Sequence, residues 1–397
     1  MKPVLSSIEL LANPPAVEML ISALDEKSFR AARYNRLERV QRLLDQSDVD
    51  VLVLSLGADL PWLSGYEAMP LERLTALVIS KGSLPTLIVP ELEAPRVRLD
   101  DELFKLLVWR EGTDPYALVA ELGAGAKTIA VSDRMWARAL LELQRNLPGA
   151  RWISASALLA PLRGTKDDLE LVMLARAAHI TDSVAFALLD AEIPMAGLSE
   201  KHVSADISRR LIAAGLARVN FAIVGSGPNS ASPHHEPGAR LIEVGDPVVC
   251  DFGGVYSILD EPGYCSDITR TVVVGEVPDG FMELYDALAL AQNAARSAVS
   301  SFISGQDLDR VARAAIAEAG YGEFFIHRTG HGIGLEEHEE PYVAIDNSHA
   351  LGARAAFSIE PGIYLPGRYG ARIEDICVSD EDRGVSLNLA PRKLSAI

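Results

Sequence analysis

Four acidic residues interrupt apolar, β-rich segments in the second half of the chain: Asp251, Asp267, Glu360 and Glu374. Carboxylates are unfavourable within strands and are seldom fully buried without a partner. One such residue alone is best interpreted as lying on the solvent-facing side of a sheet. Four that converge would bring several negative charges into a low-dielectric interior, where only cations could neutralise them. The pattern therefore favours a fold built around two divalent metal ions.

The stretch GHGIGLEEHEEP, residues 330–341, could supply the nitrogen ligand that such a site requires. A lone histidine is more often structural than a ligand, but His327, His331 and His338 lie close together in a chain with eight histidines. Glycines let the backbone approach a site closely. Pro341 argues against a helical HExxH zinc motif, and the glycine spacing does not fit a dinucleotide loop. Oxygen and imidazole ligands together suit manganese, with cobalt, zinc or iron as other options.

Strand periodicity identifies residues that could support these ligands. Asp267 and Thr269 share one face of a predicted strand, so the hydroxyl can support the carboxylate. Arg372 shares a face with Glu374 and has two interpretations of equal weight. It either orients the neighbouring carboxylates or is an ordinary surface arginine.

Composition narrows the class of protein. The formal net charge of −18, without a dense Lys/Arg run, argues against nucleic-acid binding. The three cysteines are odd in number and not spaced as a disulfide scaffold, which favours a reducing compartment. The N-terminus is a poor signal peptide, and no uninterrupted apolar run of about 20 residues predicts a membrane span. A cytoplasmic location is expected, with no membrane partner.

The first half of the chain alternates between helix and strand patterns, which predicts a three-layer α/β domain. The predicted strands are VDVLVLSLG, TALVIS, PTLIVP and KTIAVS. The predicted helices are residues 34–46, the segment ELEAPRVRLDDELFKLL at residues 91–107, and MWARALLELQRNL. No glycine-rich phosphate loop follows any of these strands, so a nucleotide site is not expected.

The second half groups its strands and sets long helices beside them, which predicts an α+β domain with a largely antiparallel sheet. Thr165 is the predicted N-cap of a long helix that ends near Leu189. The boundary is placed there, giving a first domain of residues 1–163 and a second of residues 164–397. Further helices are predicted over residues 200–215, 280–300 and 307–319.

Four segments taken in order, DFG…SDITRT, HRTGHGIGLEEHEEP, SIEPGIY and ARIED, resemble the pita-bread metallopeptidases. This family includes prolidase, Xaa-Pro aminopeptidase and methionine aminopeptidase. The resemblance covers residues 165–397, and the first half is more weakly similar to the creatinase/prolidase N-terminal domain. Methionine aminopeptidases usually lack that domain, so the proline-directed branch fits better. The resemblance implies a curved antiparallel sheet with flanking helices, preceded by a smaller α/β domain, and a homodimer.

The family resemblance also implies a ligand set. By position, the five metal ligands are Asp251, Asp267, His331, Glu360 and Glu374, with Asp267 and Glu374 bridging two metals. The two aspartates are sixteen positions apart, more than is usual in the family. Turn-forming residues at 260–263 predict that the extra length forms a longer hairpin turn.

The expected mechanism follows from the same resemblance. Two metals can lower the pKa of a shared water, and the resulting hydroxide attacks the carbonyl of the first peptide bond. Glu360 is the candidate proton shuttle, and His338 can donate to the developing oxyanion. His234, found in NSASPHHEP, and His327 are expected to line the pocket and contact substrate. Tyr364 is a further pocket candidate, although an aromatic residue in this position also suits packing.

The sequence thus predicts a dinuclear exopeptidase that cleaves the Xaa-Pro bond of dipeptides or short peptides with proline at the second position. Dipeptidase and aminopeptidase activities are not distinguished at this stage. Two alternatives keep the same fold: a metal-independent C–N hydrolase of the creatinase type, and a binding module without catalysis. Both are expected to have lost metal ligands, whereas all five are present here.

Overall fold

A computed structural model describes Leu5 and residues 7–397. The chain divides into two compact units. One contains Leu24–Arg163 and Ile258–Pro262, and the other contains the residues up to Ala23 together with Gly164–Ser257 and Gly263–Ile397. This division differs from the predicted one at both the N-terminal segment and the turn at 258–262. A short 3-10 helix, Ile8–Ala12, and helix α1, Pro14–Ser22, precede the first unit in sequence.

The unit formed by residues 24–163 has a six-stranded mixed sheet with the order β4-β3-β2-β1-β5-β6. Its strands are β1 (Val51–Leu54), β2 (Ala76–Ser80), β3 (Thr86–Pro90), β4 (Lys105–Trp109), β5 (Thr128–Val131) and β6 (Arg151–Ser154). Its helices are α2 (Glu26–Gln46), α3 (Asp59–Ser64), α4 (Pro115–Leu122), α5 (Ala137–Asn146) and α6 (Ser156–Gly164). Alternating helices and strands with parallel and antiparallel pairs agree with the predicted α/β class.

The helix predicted over residues 91–107 is wrong. The structure has a 3-10 turn at Ala94–Arg96, and the end of the segment forms β4, which pairs in parallel with β3. Pro95 lacks a backbone N–H and does not suit a helix interior. The ladder with β3 satisfies the backbone groups of residues 105–109 that a helix would otherwise have paired.

The turn at 258–262 extends the same unit. Asp260 forms an ion pair of 2.7 Å with Arg98, and Glu261 forms one of 2.6 Å with Arg33. Leu259 and Asp260 both have left-handed backbone conformations, with φ of 57° and 58°. The extra residues between Asp251 and Asp267 therefore lie in the connection between a strand that ends at Tyr256 and one that begins at Tyr264, which agrees with the predicted longer hairpin turn.

The second unit contains three sheets, with strand orders β11-β10-β12-β15-β16, β17-β9-β8-β7 and β13-β14. Its helices are α7 (Asp168–Leu189), α8 (Glu200–Ala214), α9 (Phe281–Ala298) and α10 (Gly305–Glu318). Its strands are β7 (Arg218–Ser226), β8 (Pro247–Tyr256), β9 (Tyr264–Val273), β10 (Gly330–Gly332), β11 (Glu339–Val343), β12 (Ala356–Ile359), β13 (Gly362–Leu365), β14 (Tyr369–Arg372), β15 (Asp375–Ser379), β16 (Gly384–Ser386) and β17 (Ser395–Ala396). Apart from the β9–β17 pair, the recorded strand pairs of this unit are antiparallel.

Helix α7 is the central helix of the second unit. Its N-cap is Asp167, which forms a capping box with Glu170, so the predicted cap at Thr165 is wrong by two residues. An aspartate at the N-cap with glutamate three positions later satisfies two backbone N–H groups at once. Within the described residues, α7 is also the one helix long and apolar enough to cross a membrane. Its apolar window is 78% buried within the folded chain, as expected of a core helix.

The N-terminal segment packs on α7. Val17 and Ile21 of α1 are buried, and Glu18 forms an ion pair of 3.0 Å with Arg176. The backbone N–H of Leu5 donates to Asp168 at the start of α7. Residues before Leu24 thus contribute to the core of the unit that continues at Gly164.

The buried histidine of α7 should make folding sensitive to acid. Burial and the positive charge of Arg176 lower the pKa of His179 to about 4. Because unfolding restores the ordinary pKa of 6.5, the unfolded state binds more protons between these values. Stability is therefore fully present above pH 6.5 and falls as the pH drops towards 4, by about 3 kcal/mol. Urea unfolding at several pH values measures this loss.

A His179→Leu variant provides the comparison for this prediction. Its free energy of unfolding should fall less between pH 6.5 and 4 than that of the parent chain. Equal pH dependence in the two proteins would assign the acid sensitivity to other groups.

Candidate metal centre

A cavity of about 500 Å³ in the second unit is lined by all five predicted metal ligands: Asp251, Asp267, His331, Glu360 and Glu374. Asp267, His331 and Glu374 each offer a ligand atom within 4.8 Å of the others. These three side chains and Asp251 are buried. Residues separated by more than 120 positions in the sequence therefore meet at one site.

Two neighbouring strands position the aspartates. In the β8–β9 ladder, Thr269 lies opposite Asp251, and Asp267 precedes Thr269 by two residues. Side chains two residues apart on a strand point to the same face, so both aspartates face the cavity.

The two glutamates lie outside the strands, which corrects the prediction that each interrupts a continuous strand. Glu360 falls in the break between β12 and β13, and Glu374 falls between β14 and β15. Pro361 follows Glu360 and ends the regular ladder. Side chains within a strand point alternately to its two faces. A residue in a break between strands does not follow this alternation, so both carboxylates can turn towards the cavity.

Unsatisfied carboxylate oxygens indicate that the cavity fits cations. One oxygen each of Asp251, Asp267 and Glu374 is buried without a hydrogen-bond partner among the described residues. Such atoms are costly unless they are paired or coordinate a metal. Three hard oxygen ligands beside an imidazole form a donor set that divalent transition metals accept.

Electrostatics lead to the same conclusion. Burial and the charges of neighbouring carboxylates raise the pKa of Asp267 well above its usual range. Burial and the charges of Glu360 and Asp251 do the same for Glu374. Burial opposes ionisation of Glu360 as well, but the hydrogen bond and charge of His331 outweigh it and hold that pKa at about 2. Cations at the site would favour the ionised forms of all these groups.

The orientation of His331 is fixed by its backbone surroundings. Its Nδ1 lies 3.1 Å from the carbonyl oxygen of Gly332, which can only accept, so Nδ1 carries the proton. Nε2 then faces the carboxylates, 3.2 Å from Glu360 and 3.8 Å from Asp267, so it can donate to Glu360 when protonated and bind a cation when it has lost that proton. This is the arrangement that a metal-ligating histidine requires. A Cβ at Gly330 would collide with the carbonyl oxygen of Ser358, which explains the glycine before His331.

Arg372 and Thr269 support the carboxylates directly. The Thr269 hydroxyl donates to Glu374 at 2.7 Å, and Arg372 donates to Asp251 at 2.5 Å and to Tyr364 at 2.8 Å. Arg372 is 2% exposed, so its interpretation as a surface residue is wrong. Burial beside this network raises the pKa of Tyr364 to about 12, which keeps its hydroxyl protonated.

The three predicted histidines outside the ligand set all line the cavity: His234, His327 and His338. His327 has protein partners at both ring nitrogens, the carbonyl of Arg328 at 2.7 Å and the hydroxyl of Tyr364 at 2.9 Å. Neither nitrogen is left for substrate in this arrangement, which corrects the expected direct contact. The ring of His338 lies 4.0 Å from that of His331, and desolvation, helped by the nearby charges of His331 and Arg328, lowers the pKa of His338 to about 4.

A buried ion pair anchors the loop that carries His338. Glu339 pairs with Lys166 just before α7, and both side chains are almost fully buried. The Glu339 carboxylate also fills the space beside Gly334, where a Cβ would collide with it. From this side of the loop, Cys265 donates its N–H to the carbonyl of Gly334 at 2.8 Å. The acidic residue next to His338 is thus structural, and Cys265 packs against the same loop.

Sequence reasoning missed Arg270, which lies beneath the ligands. Its guanidinium is fully buried and donates to the carbonyls of Thr269, Glu374, Ala390 and Pro391 and to the Asp375 carboxylate. It therefore joins the strand that carries Asp267 to the segment that carries Glu374. The sequence did contain a signal, because Arg270 stands in a β-branched run that predicts a buried strand. An arginine in such a strand is rarely buried unless several groups accept its hydrogen bonds.

Two further charged residues line the cavity and were not predicted as site residues. Arg328 lies over the ring of Tyr342, 4.2 Å from its centroid. Glu337 lies one position before His338. Neither position stands out in the sequence, because charged residues in a polar loop are common on surfaces.

Comparison with family profiles gives two matches. The profile of metallopeptidase family M24 matches residues 173–381. The profile of the creatinase/prolidase N-terminal domain matches residues 36–164. These matches confirm the predicted resemblance and the combination of a pita-bread domain with a smaller α/β domain.

Individual proteins are similar over most of their length. A probable dipeptidase PepE of Mycobacterium bovis is 42% identical over 87% of this chain and 92% of that protein. An Xaa-Pro dipeptidase of Lactobacillus delbrueckii is 33% identical over 87% of this chain and 94% of that protein. The crystal structure of dipeptidase PepE from Mycobacterium ulcerans has a TM-score of 0.86 and 43% identity, covering 92% of this chain and 98% of that one.

Proposed function

This chain belongs to metallopeptidase family M24, and we propose that it is a dipeptidase that hydrolyses the Xaa-Pro bond of short substrates with two divalent metal ions. The cavity that joins Asp251, Asp267, His331, Glu360 and Glu374 is the observation that carries the proposal. A named Xaa-Pro dipeptidase and named dipeptidases among the similar proteins support the substrate class.

The five cavity residues would hold the metals, with manganese as the first choice and cobalt, zinc or iron as alternatives. Asp267 and Glu374 would help to hold both ions in this proposal. One buried oxygen on each of Asp251, Asp267 and Glu374 has no hydrogen-bond partner among the described residues, which supports a role for all three as ligands. When bound, the metals supply Lewis-acid activation of water and of the scissile carbonyl.

Glu360 has the proton-handling role. Its carboxylate lines the cavity, and in the ionised form it can accept a proton from the attacking water. Ser358 donates to one of its oxygens at 3.1 Å and limits its rotation. The protonated carboxyl then delivers the proton to the leaving proline nitrogen, which must be protonated for the C–N bond to break.

Neutral histidine completes the chemistry at the cavity wall. With a pKa of about 4, His338 is uncharged at neutral pH and can donate one N–H to the carbonyl oxygen as negative charge develops. His234 is available for contact with the substrate backbone. His327 acts indirectly in this scheme, because it holds the hydroxyl of Tyr364, which in turn contacts Arg372.

Arg328 supports the choice of dipeptidase over aminopeptidase. Arg328 lines the cavity, its guanidinium lies over the ring of Tyr342, and within residues 7–397 it makes no ion pair with a carboxylate. The C-terminal carboxylate of a dipeptide is the substrate group that complements this charge. A longer peptide carries its carboxylate further from the scissile bond and loses the interaction.

Replacing Arg328 should weaken dipeptide hydrolysis selectively. For Arg328→Gln, kcat/KM on Ala-Pro is expected to fall about tenfold or more, because a hydrogen bond to a charged group is lost. Hydrolysis of the amide Ala-Pro-NH₂, which lacks the carboxylate, should change little. Steady-state kinetics with the two substrates measure the difference.

Arg368 offers a matched comparison. It also lies over a tyrosine ring, 4.9 Å from the centroid of Tyr369, but it does not line the cavity. Arg368→Gln should leave the preference for the dipeptide unchanged. If Arg328→Gln lost kcat/KM equally on Ala-Pro and on its amide, Arg328 would not recognise the substrate carboxylate. If the parent enzyme cleaved Ala-Pro-Ala faster than Ala-Pro, an aminopeptidase would be favoured.

The cellular setting belongs to the same proposal. Three reduced and buried cysteines support a cytoplasmic location. A homodimer is proposed from the resemblance to the family, and sedimentation of the purified protein tests it.

A further inference from the structure

The cavity wall carries a carboxylate that is not part of the ligand set. Glu337 lines the cavity from the loop between β10 and β11 and is half-buried. The other acidic residues of the cavity are Asp251, Asp267, Glu360 and Glu374. Glu337 therefore contributes a negative charge beyond those that the metals would neutralise.

Each of the other cavity carboxylates has a protein partner. Asp251 pairs with Arg372, and Glu374 accepts from Thr269. Asp267 and Glu360 both lie near His331. Across the part of the chain that the structure describes, Glu337 makes neither a hydrogen bond nor an ion pair. Its charge is thus available to a group that enters the cavity.

The loop presents this side chain from a fixed backbone. Gly334 donates its N–H to the carbonyl of Glu336 at 3.0 Å, and Cys265 contacts Gly334 and Leu335. The fixed backbone keeps the Glu337 side chain on one part of the cavity wall, where an incoming substrate can meet it.

We propose that Glu337 is a specificity-determining residue that recognises a positively charged group of the substrate, an ammonium or guanidinium. This inference rests on the proposed peptidase function and adds the class of substrate to it. The positive group is either the side chain of a Lys or Arg residue or the free N-terminus, and both bind a carboxylate in the same way. Peptides with a cationic side chain are the expected preferred substrates.

The test compares lysine with its uncharged analogue norleucine at the first position of an Xaa-Pro dipeptide. The metal-loaded enzyme is assayed on Lys-Pro and norleucine-Pro. In Glu337→Gln, the kcat/KM ratio of Lys-Pro to norleucine-Pro should fall about fivefold, as expected for loss of one partly exposed ion pair. Salt at about 0.5 M should reduce the same ratio in the parent enzyme.

Two further variants sharpen the result. Glu337→Lys should prefer Glu-Pro over Gln-Pro, since the sign of the charge is reversed. Glu340→Gln is the matched control, because Glu340 lies three residues further along, in β11, is exposed and does not line the cavity. Thermal unfolding of all three variants reports whether they remain folded.

The outcomes separate the two possible sources of charge. A lower kcat/KM ratio of the lysine to the norleucine peptide assigns Glu337 to a pocket for the substrate side chain. An equal loss of kcat/KM on every peptide assigns it to the substrate N-terminus, provided that the loss disappears when the substrates are N-acetylated. Unchanged kcat/KM on all peptides in folded Glu337→Gln would overturn the inference.

Failure of the proposed function has a different signature. The parent enzyme would then cleave no Xaa-Pro peptide, whatever residue stands at 337. Titration calorimetry of the same peptides into metal-loaded parent and Glu337→Gln proteins would still test Glu337. Lysine peptides that bind both proteins equally well would contradict it.

Discussion

Replacing Glu360 with alanine is expected to lower kcat on Ala-Pro by at least about a thousandfold. Positioned acid–base groups contribute about a hundredfold to ten-thousandfold to catalysis, and this residue also belongs to the proposed ligand set. Steady-state kinetics with excess manganese measure the loss.

Metal content separates the two roles of Glu360. Glu360→Gln keeps one oxygen ligand but cannot accept a proton, so it should retain more metal than the alanine variant and remain almost inactive. Glu340→Gln, which changes an exposed carboxylate in β11, should keep nearly full activity. If Glu360→Ala retained near-full kcat, this residue could not be the proton shuttle.

Removing divalent metals is the second change with a large expected effect. Dialysis against EDTA should lower activity at least about a hundredfold, because the carbonyl and the water both lose Lewis-acid activation. Adding back manganese, cobalt or zinc should restore activity when about two ions are bound per chain. Elemental analysis and activity are measured on the same samples.

Thermal stability gives a readout of the metals that does not depend on catalysis. Asp267 and Glu374 have strongly raised pKa values when no cation faces them, because each carboxylate is buried beside others. Metal at about one hundred times its Kd should therefore stabilise the fold by about 2.7 kcal/mol. Full activity in protein free of metal would instead support the metal-independent C–N hydrolase.

The sequence identified the residues that meet in the cavity better than it predicted their surroundings. Asp251 and Asp267 stood out because β-branched and apolar neighbours on both sides require a strand, in which a carboxylate is out of place. Glu360 and Glu374 were identified for the same reason, although both lie in breaks where two short strands meet. A break depends on tertiary pairing, so periodicity within one segment could not reveal it.

The fold could be predicted where local signals agreed with burial. The long core helix ends at Leu189 as predicted, because its apolar pattern and acidic first turn are both strong. The segment at 91–107 has helix-like composition, yet its last residues pair with β3, and only the assembled sheet makes that pairing available. Arg270 was missed because its hydrogen-bond partners come from distant parts of the chain. Arg328 and Glu337 were missed because only the folded chain shows that they line the cavity.

Because α1 packs on α7, the two units of this chain do not simply follow one another in sequence. The metal-binding unit begins before Leu24 and resumes at Gly164, so the α/β unit is an insertion within it. During synthesis the inserted sheet can form early, whereas the unit around it must wait for residues close to the C-terminus. A truncation that starts at Gly164 would also expose the apolar surface that Val17 and Ile21 cover. The smallest autonomous catalytic piece of this protein is therefore not a contiguous stretch of its sequence.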